Sequence, residues 1–157
     1  YPLRPSSRGH VHIRSTDPAA MPELQTNYRD TEEDRRAMIG TVRVAREYVK
    51  QAPLAQYIEA ETMPGPDYDT DEKILEAYDK FGTCAYHAVG SCRMSNDPAT
   101  SVVDPALRVR GVEGLRIIDT SIMPTIPSGN TNGPTMAMAW RAADVIRATA
   151  LVPETAG

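Results

Sequence analysis

The stretch LRVRGVEGLRIID, residues 107–119, holds two runs of β-favouring residues separated by a tetrapeptide that glycine opens and closes. Residues 107–110 and 115–119 each have the length and apolar pattern of a short strand. A glycine-flanked connection between two such runs predicts a β-hairpin. Because Ile117 and Ile118 interrupt strict alternation, we expect the second strand to be buried on both faces.

Upstream of this hairpin, the sequence predicts one strand and two helices. Residues 9–15 alternate apolar and polar side chains, which is the period of a half-buried strand. Thr31 precedes three acidic residues, a pattern typical of a helix N-terminus, and apolar residues follow at helical spacing. We expect this helix to end near Gln51, because Pro53 restricts the residue before it. A second helix is predicted over about 71–80.

Downstream, the stretch SGNTNGPT, residues 128–135, lies directly before a predicted helix that begins near Pro134. Small polar residues at this place leave unpaired backbone N–H groups at the positive end of the helix dipole. That arrangement suits an anion, an electron-rich ring oxygen or a developing alkoxide, whereas the alternative is a helix cap without a ligand. Asp119 also has two interpretations: it contacts a ligand at the end of the strand, or it caps the next turn. We expect the tail after Leu151 to fray.

Composition and charge exclude several functional classes. A net charge of -4 argues against a nucleic-acid partner, and no apolar run approaches the ~20 residues that a membrane segment requires. The two cysteines, Cys84 and Cys92, neither pair with a nearby histidine at zinc spacing nor form a C-x-x-C motif, which favours reduced thiols in a cytoplasmic protein. The motif Gly-x-Gly-x-x-Gly is absent, so any dinucleotide chemistry would require residues outside this sequence.

His87 is the strongest candidate for acid–base chemistry among the three histidines. It lies in the irregular, glycine-containing stretch YHAVGSCRM, residues 86–94, and histidine ionises near neutral pH. Position alone does not decide between a catalytic base and a structural loop histidine. His10 and His12 share one face of the predicted first strand but have no evident third ligand, so no metal site is expected. Cys92 lacks an orienting group beyond His87, which disfavours a cysteine hydrolase.

Several motifs in a fixed order resemble the C-terminal signature of glucose-methanol-choline flavin-dependent oxidoreductases. They are HAVGSCRM at 87–94, GVEGLRIIDTSIMP at 111–124 and SGNTNGPT at 128–135. The segment RPSSRG at 4–9 resembles the start of the family's C-terminal domain, so the resemblance spans nearly the whole chain. The Gly-Asn-Thr-Asn variant is similar to the choline dehydrogenase branch. Two departures, Ser91 for the usual Thr and Ser95 for the usual Gly, affect the turn of the histidine loop but not the histidine.

The resemblance implies a role for each motif residue. By the family pattern, His87 is the active-site base that faces the flavin ring, and Asn130 is the second catalytic residue. Tyr86 is expected to line the substrate pocket. The implied reaction is hydride transfer from an alcohol carbon to flavin N5: His87 takes or shares the hydroxyl proton, and Asn130 hydrogen-bonds the oxygen as it gains charge. The positions that match flavin contacts are Asp119, Thr120, Asn130, Thr131 and Asn132.

The resemblance also implies the fold and the partners. The fold is expected to be α+β, with a mostly antiparallel sheet and packed helices. Residues 1–157 would form a C-terminal domain that lacks the family's N-terminal FAD-binding Rossmann-like domain. FAD would then be bound mainly by that N-terminal domain of the same enzyme. The chain would be a fragment, inactive alone, of an alcohol dehydrogenase or oxidase acting on a small-molecule alcohol. The alternative is a stand-alone, non-catalytic binding module that reuses the fold.

Overall fold

Residues 2–150 are described in a computed structural model, with the side chains of residues 149 and 150 left out. The tail after Leu151, which we expected to fray, lies outside the described residues. The chain divides into two units, Tyr1–Ala85 and Tyr86–Gly157, and each is described by itself below.

A short antiparallel ribbon opens the first unit. Strand β1, His10–His12, pairs with β2, Glu23–Gln25, so that Val11 lies opposite Leu24. The prediction of a strand within residues 9–15 is confirmed at its centre, but every residue of the ribbon is exposed rather than half-buried. Within residues 2–150 no second sheet packs on this ribbon, in agreement with its exposure.

Helix α1, Glu32–Val49, begins where the sequence predicts it. The hydroxyl of Thr31 accepts a hydrogen bond from the backbone N–H of Asp34, across 3.2 Å, and three acidic residues occupy the first turn. A short helix that was not predicted, α2, follows at Ala52–Ala55. Pro53 ends α1 as expected, but it also lies in the first turn of α2, where its missing N–H costs no helical bond.

Helix α3, Asp71–Phe81, packs against α1 and completes the first unit. Its predicted range of about 71–80 is confirmed, and the hydroxyl of Thr70 caps its N-terminus. Ile74 and Ala77 are both buried, and because residues three apart lie on the same side of a helix, they form one buried face. The hydroxyl of Tyr78 donates to the carbonyl oxygen of Met38 at 3.2 Å, which ties α3 to the middle of α1.

The second unit is built on helix α4, Asn132–Ala150, which begins two residues before the predicted start at Pro134. Two short 3₁₀ turns, Pro98–Thr100 and Thr120–Ile122, connect its irregular segments. The core of this unit is one cluster of buried apolar side chains from its irregular segments and α4: Val103, Leu107, Ile122 and Ala142. Helix α4 therefore contributes directly to the core of this unit.

The predicted hairpin is present as a pairing but not as two full strands. Residues 107–117 form antiparallel bonds across the turn, from the N–H of Val109 to Leu115 and from that of Ile117 to Leu107. Only isolated bridges result, including Arg108 with Arg116, because Leu107 has a φ of 68°, which extended strands do not adopt. Leu115 is exposed, so the second segment is not buried on both faces along its length.

The fold class is mixed helix and strand, as predicted. The strands described are too short to decide whether a mostly antiparallel sheet forms the main layer, and that part stays a prediction. Within residues 2–150, no helix is both long enough and apolar enough to cross a bilayer.

Candidate active site

The loop that carries His87 is held in place by backbone hydrogen bonds to the segment around Thr120–Ile122. Cys92 donates its N–H to the carbonyl oxygen of Ser121 at 3.0 Å, and Met94 donates to that of Ile122 at 2.9 Å. Gly90 has a φ of 89°, a conformation that favours glycine, and it begins the turn that these bonds fix. The irregular stretch 86–94 is thus an ordered loop on the core of the second unit.

His87 contacts the stretch before α4 directly. Its Nδ1 lies 3.0 Å from Oγ1 of Thr131, a hydrogen bond between residues 44 positions apart in sequence. Thr131 is buried, while His87 is half-buried. The structure therefore brings the predicted base next to the predicted 130–132 segment, and Thr131 is the residue that makes the contact.

Asn130 and Asn132 lie on either side of Thr131, and both are exposed. Asn132 is the first residue of α4, and the first bond of this turn runs from the N–H of Thr135 to the carbonyl oxygen of Thr131 at 2.9 Å. The N–H groups of Asn132 and Gly133 have no intrahelical acceptor, and Pro134 has no N–H. Asn130 and Asn132 are therefore exposed sequence neighbours of the residue that contacts His87, at the positive end of the α4 dipole.

Asp119 acts as a cap in this structure. Its Oδ1 accepts a hydrogen bond from the backbone N–H of Ser121 at 2.8 Å, which starts the 3₁₀ turn Thr120–Ile122. Asp119 itself is exposed, so the cap does not withdraw the carboxylate from solvent. The backbone bonds that hold the His87 loop go to Ser121 and Ile122, the two residues that follow Asp119 and Thr120.

Tyr86 precedes His87 and is 90% exposed, with a φ of 59°. Such a φ is uncommon for a bulky residue and sets the direction in which the loop enters the site. By contrast, Cys92 packs against the apolar core cluster.

The remaining histidines lie in the first unit. The rings of His10 and His12 are in edge contact at 4.6 Å, and the Nε2 of His10 lies 4.0 Å from a carboxylate oxygen of Glu23. Across the part of the chain that the structure describes, no three His, Cys, Asp or Glu side chains converge as metal ligands would.

The sequence did not indicate that the Thr131 side chain contacts His87. The motif comparison assigned residues 130–132 to flavin contacts and gave Thr131 no link to His87. A hydroxyl between two carboxamides, directly before a helix, was the only local signal available.

Comparison with known proteins identifies the family. Residues 5–139 match the family model described as GMC oxidoreductase, so the chain belongs to the glucose-methanol-choline oxidoreductase family. It is 44% identical over 150 residues to the oxygen-dependent choline dehydrogenase of Staphylococcus xylosus, a match that covers 93% of this chain and 26% of that protein. It is 40% identical over 144 residues to an alcohol dehydrogenase (acceptor) of Pseudomonas putida, covering 92% of this chain and 26% of that protein. These matches confirm the predicted resemblance to the choline dehydrogenase branch.

Solved structures of the family share the fold. The chain superposes on a formate oxidase of Aspergillus oryzae with a TM-score of 0.87 at 30% identity, covering 94% of this chain and 26% of that chain. An FAD-dependent oxidoreductase from Chaetomium thermophilum gives a TM-score of 0.86 at 31% identity, with coverage of 94% and 26%. The chain thus corresponds to about a quarter of the length of these relatives.

Proposed function

We propose that this chain forms the proton-handling side of the active site of an FAD-dependent enzyme that oxidises a CH–OH group. The contact between His87 and Thr131 carries the proposal, because it joins an imidazole to the Asn130–Asn132 segment. A base and a fixed hydrogen-bond donor are the two groups that oxidation of an alcohol by hydride removal requires from a protein.

The two proposed catalytic residues act on the same hydroxyl group of the substrate. His87 accepts or shares the hydroxyl proton, which makes the adjacent carbon a better hydride donor. Asn130 donates a hydrogen bond from its carboxamide to the oxygen as negative charge develops there. Both side chains keep accessible surface in the described structure, so a substrate can reach them.

The residues near His87 fit the edge of a flavin. The exposed carboxamides of Asn130 and Asn132 and the outward N–H groups at the start of α4 are hydrogen-bond donors of the kind that an electron-rich ring edge requires. Bound FAD would supply the acceptor for the hydride. Thr131, Asp119 and Thr120 are proposed to complete this side of the cofactor site.

We propose that FAD is held mainly by an N-terminal FAD-binding domain of the same enzyme, and that the chain alone is inactive. The described residues offer contacts for one edge of the cofactor, and no Gly-x-Gly-x-x-Gly motif is present for its diphosphate. Stoichiometric FAD together with alcohol turnover in the isolated chain would contradict this part of the proposal.

The proposed substrate is a small-molecule alcohol, and Tyr86 is proposed to line its pocket. Tyr86 directly precedes His87 in sequence and its side chain is exposed, which supports a contact with a substrate bound at His87. Aromatic side chains are common in the walls of such pockets.

The test is the rate of flavin reduction under anaerobic conditions in the FAD-loaded enzyme that contains this chain. We expect His87→Ala to slow reduction about 10²- to 10⁴-fold, the usual worth of a general base. His12→Ala is the matched control, because His12 is an exposed histidine of β1 in the other unit and should leave the rate unchanged. An unchanged rate in His87→Ala would refute the assignment.

A further inference from the structure

The hydroxyl of Thr131 is placed to orient the His87 ring. We propose that Thr131 is a positioning residue, whose Oγ1 accepts a hydrogen bond from Nδ1–H of His87 and so keeps the lone pair on Nε2. The two atoms lie 3.0 Å apart, a normal length for an N–H···O bond. This inference rests on the proposed function, since it concerns the residue proposed as the base.

Thr131 is a rigid support for this bond. Its carbonyl oxygen accepts two hydrogen bonds from Thr135, one from the N–H at 2.9 Å and one from the hydroxyl at 2.6 Å. Both bonds belong to the first turn of α4, whose Ala142 is buried in the core cluster. The position of the Thr131 hydroxyl is therefore set by a packed helix rather than by the exposed loop before it.

Burial makes the contact selective. Thr131 is only 8% exposed, so water competes poorly for the Nδ1 side of the ring. His87 is half-buried, and substrate access has to come from the rest of its ring. One nitrogen is thus engaged by the protein, and the other is left for chemistry.

The tautomer decides whether the ring can act as a base. A neutral imidazole carries one N–H and one lone pair, and the partner of one nitrogen determines which nitrogen keeps the proton. If Nδ1 donates to Thr131, the lone pair is on Nε2, where it can accept the substrate proton. If the hydroxyl instead donates to Nδ1, then Nε2 carries hydrogen and cannot accept one.

The same bond also suits the ring after proton transfer. Once Nε2 has accepted the proton, both nitrogens carry hydrogen and the ring is a cation. The Nδ1–H then donates to an uncharged oxygen as a charge-assisted bond, which is stronger than the neutral one. No rotation of the ring is needed between the two states.

Nitrogen NMR tests the contact without reference to catalysis. In a ¹⁵N-labelled chain carrying His10→Gln and His12→Gln, His87 is the one histidine that remains of three. Two-bond ¹⁵N–¹H correlations on the neutral ring should identify Nδ1 as the protonated nitrogen. Thr131→Ser should preserve that pattern, and Thr131→Val should abolish it. A wild-type ring with hydrogen on Nε2 would overturn the proposal, even if a variant failed to fold.

Kinetics of the FAD-loaded enzyme test the positioning role. Thr131→Val keeps the branched shape but removes the hydroxyl, and it should lower the limiting rate of flavin reduction about 10- to 100-fold, as small misplacements of a reacting group do. The substrate dissociation constant should stay within about twofold, and Thr131→Ser should restore most of the rate. Equal losses in both variants would show a structural role and overturn the proposal. Failure of the His87 assignment appears separately, in His87→Ala.

Discussion

Met94 donates its backbone N–H to the carbonyl oxygen of Ile122 across 2.9 Å, and this bond fastens the loop of His87 to the turn that follows Asp119. Ile122 is fully buried in the core cluster, with Val103 and Leu107. The backbone of Ile122 therefore orients the site while its side chain anchors the same turn in the core. Stability and site geometry are coupled through one residue.

This coupling predicts that Ile122→Ala is costly. Removing three carbons from a fully buried side chain should lower the free energy of unfolding by about 2–5 kcal/mol, whereas Ile122→Val should cost about 1 kcal/mol. Chemical denaturation of the chain measures both values. Ile13→Ala is the matched control, because Ile13 is 91% exposed and its truncation should change stability little. Similar losses at both positions would contradict the burial of Ile122.

The backbone conformations of Gly90 and Gly40 predict that substitution by alanine has opposite effects on stability at these two positions. Gly90 has a φ of 89°, and a Cβ there would lie 3.3 Å from the carbonyl oxygen of Met123, so Gly90→Ala should destabilise the fold by about 1–2 kcal/mol. Gly40 lies inside α1 with open space around it, so Gly40→Ala should stabilise by about 0.5–1 kcal/mol. Thermal unfolding of both variants checks the signs, and destabilisation of equal size at both positions would contradict this account.

Local signals in the sequence were sufficient for the long helices. Thr31 and its following acids marked the start of α1, and the structure has the cap that these residues suggested. The hairpin at 107–117 was predicted from its glycines, but the positive φ of Leu107 shortens its strands. No local sequence pattern predicts the positive φ of Leu107, because this conformation depends on how the segment packs.

Contacts between distant residues were beyond prediction from local pattern. The motif order predicted that His87 and Asn130 belong to one site, yet the side chain that contacts His87 is that of Thr131, 44 positions away. Asp34 is a similar case. It reads as one of three acids in the first turn of α1, but its carboxylate is buried against residues 27 and 28 positions earlier. Such pairings depend on the folded path of the chain, which residue spacing does not encode.

Asp34 joins the N-terminal arm to helix α1. Its Oδ1 accepts from the N–H of Ser6 at 2.7 Å, its Oδ2 accepts from the N–H of Ser7 at 2.8 Å, and both serine hydroxyls donate to the same carboxylate. Burial raises the pKa of this carboxyl, but the bonds from the side chain of Ser7 and the backbones of Ser6 and Ser7 outweigh it. The pKa of Asp34 is therefore lowered from its ordinary value.

A lowered pKa in the folded state gives stability that is present above the pKa of the unfolded chain, near 4, and is lost as pH falls through the folded value. Asp34→Asn places an N–H₂ group against N–H donors. We therefore expect it to lower the free energy of unfolding at pH 7 by about 1.5–3 kcal/mol and to flatten its decline below about pH 4. Urea titrations at several pH values measure this. Glu33→Gln, an exposed neighbour in the same helical turn, should have a much smaller effect.

Substitutions of Asn130 test the proposed hydrogen bond to the substrate oxygen separately from proton transfer, because a carboxamide donates a hydrogen bond but does not act as a base. Asn130→Ala should slow flavin reduction in the FAD-loaded enzyme about tenfold, the worth of one neutral hydrogen bond, and so less than His87→Ala does. Asn130→Asp should slow it further, since a carboxylate repels the negative charge that develops on the substrate oxygen. Asn96→Ala is the matched control, as Asn96 is an exposed asparagine elsewhere in the same unit. A rate of flavin reduction in Asn130→Asp equal to that of the wild type would show that Asn130 does not face the reacting oxygen. The role of Asn130 would then be limited to the N-terminal end of α4.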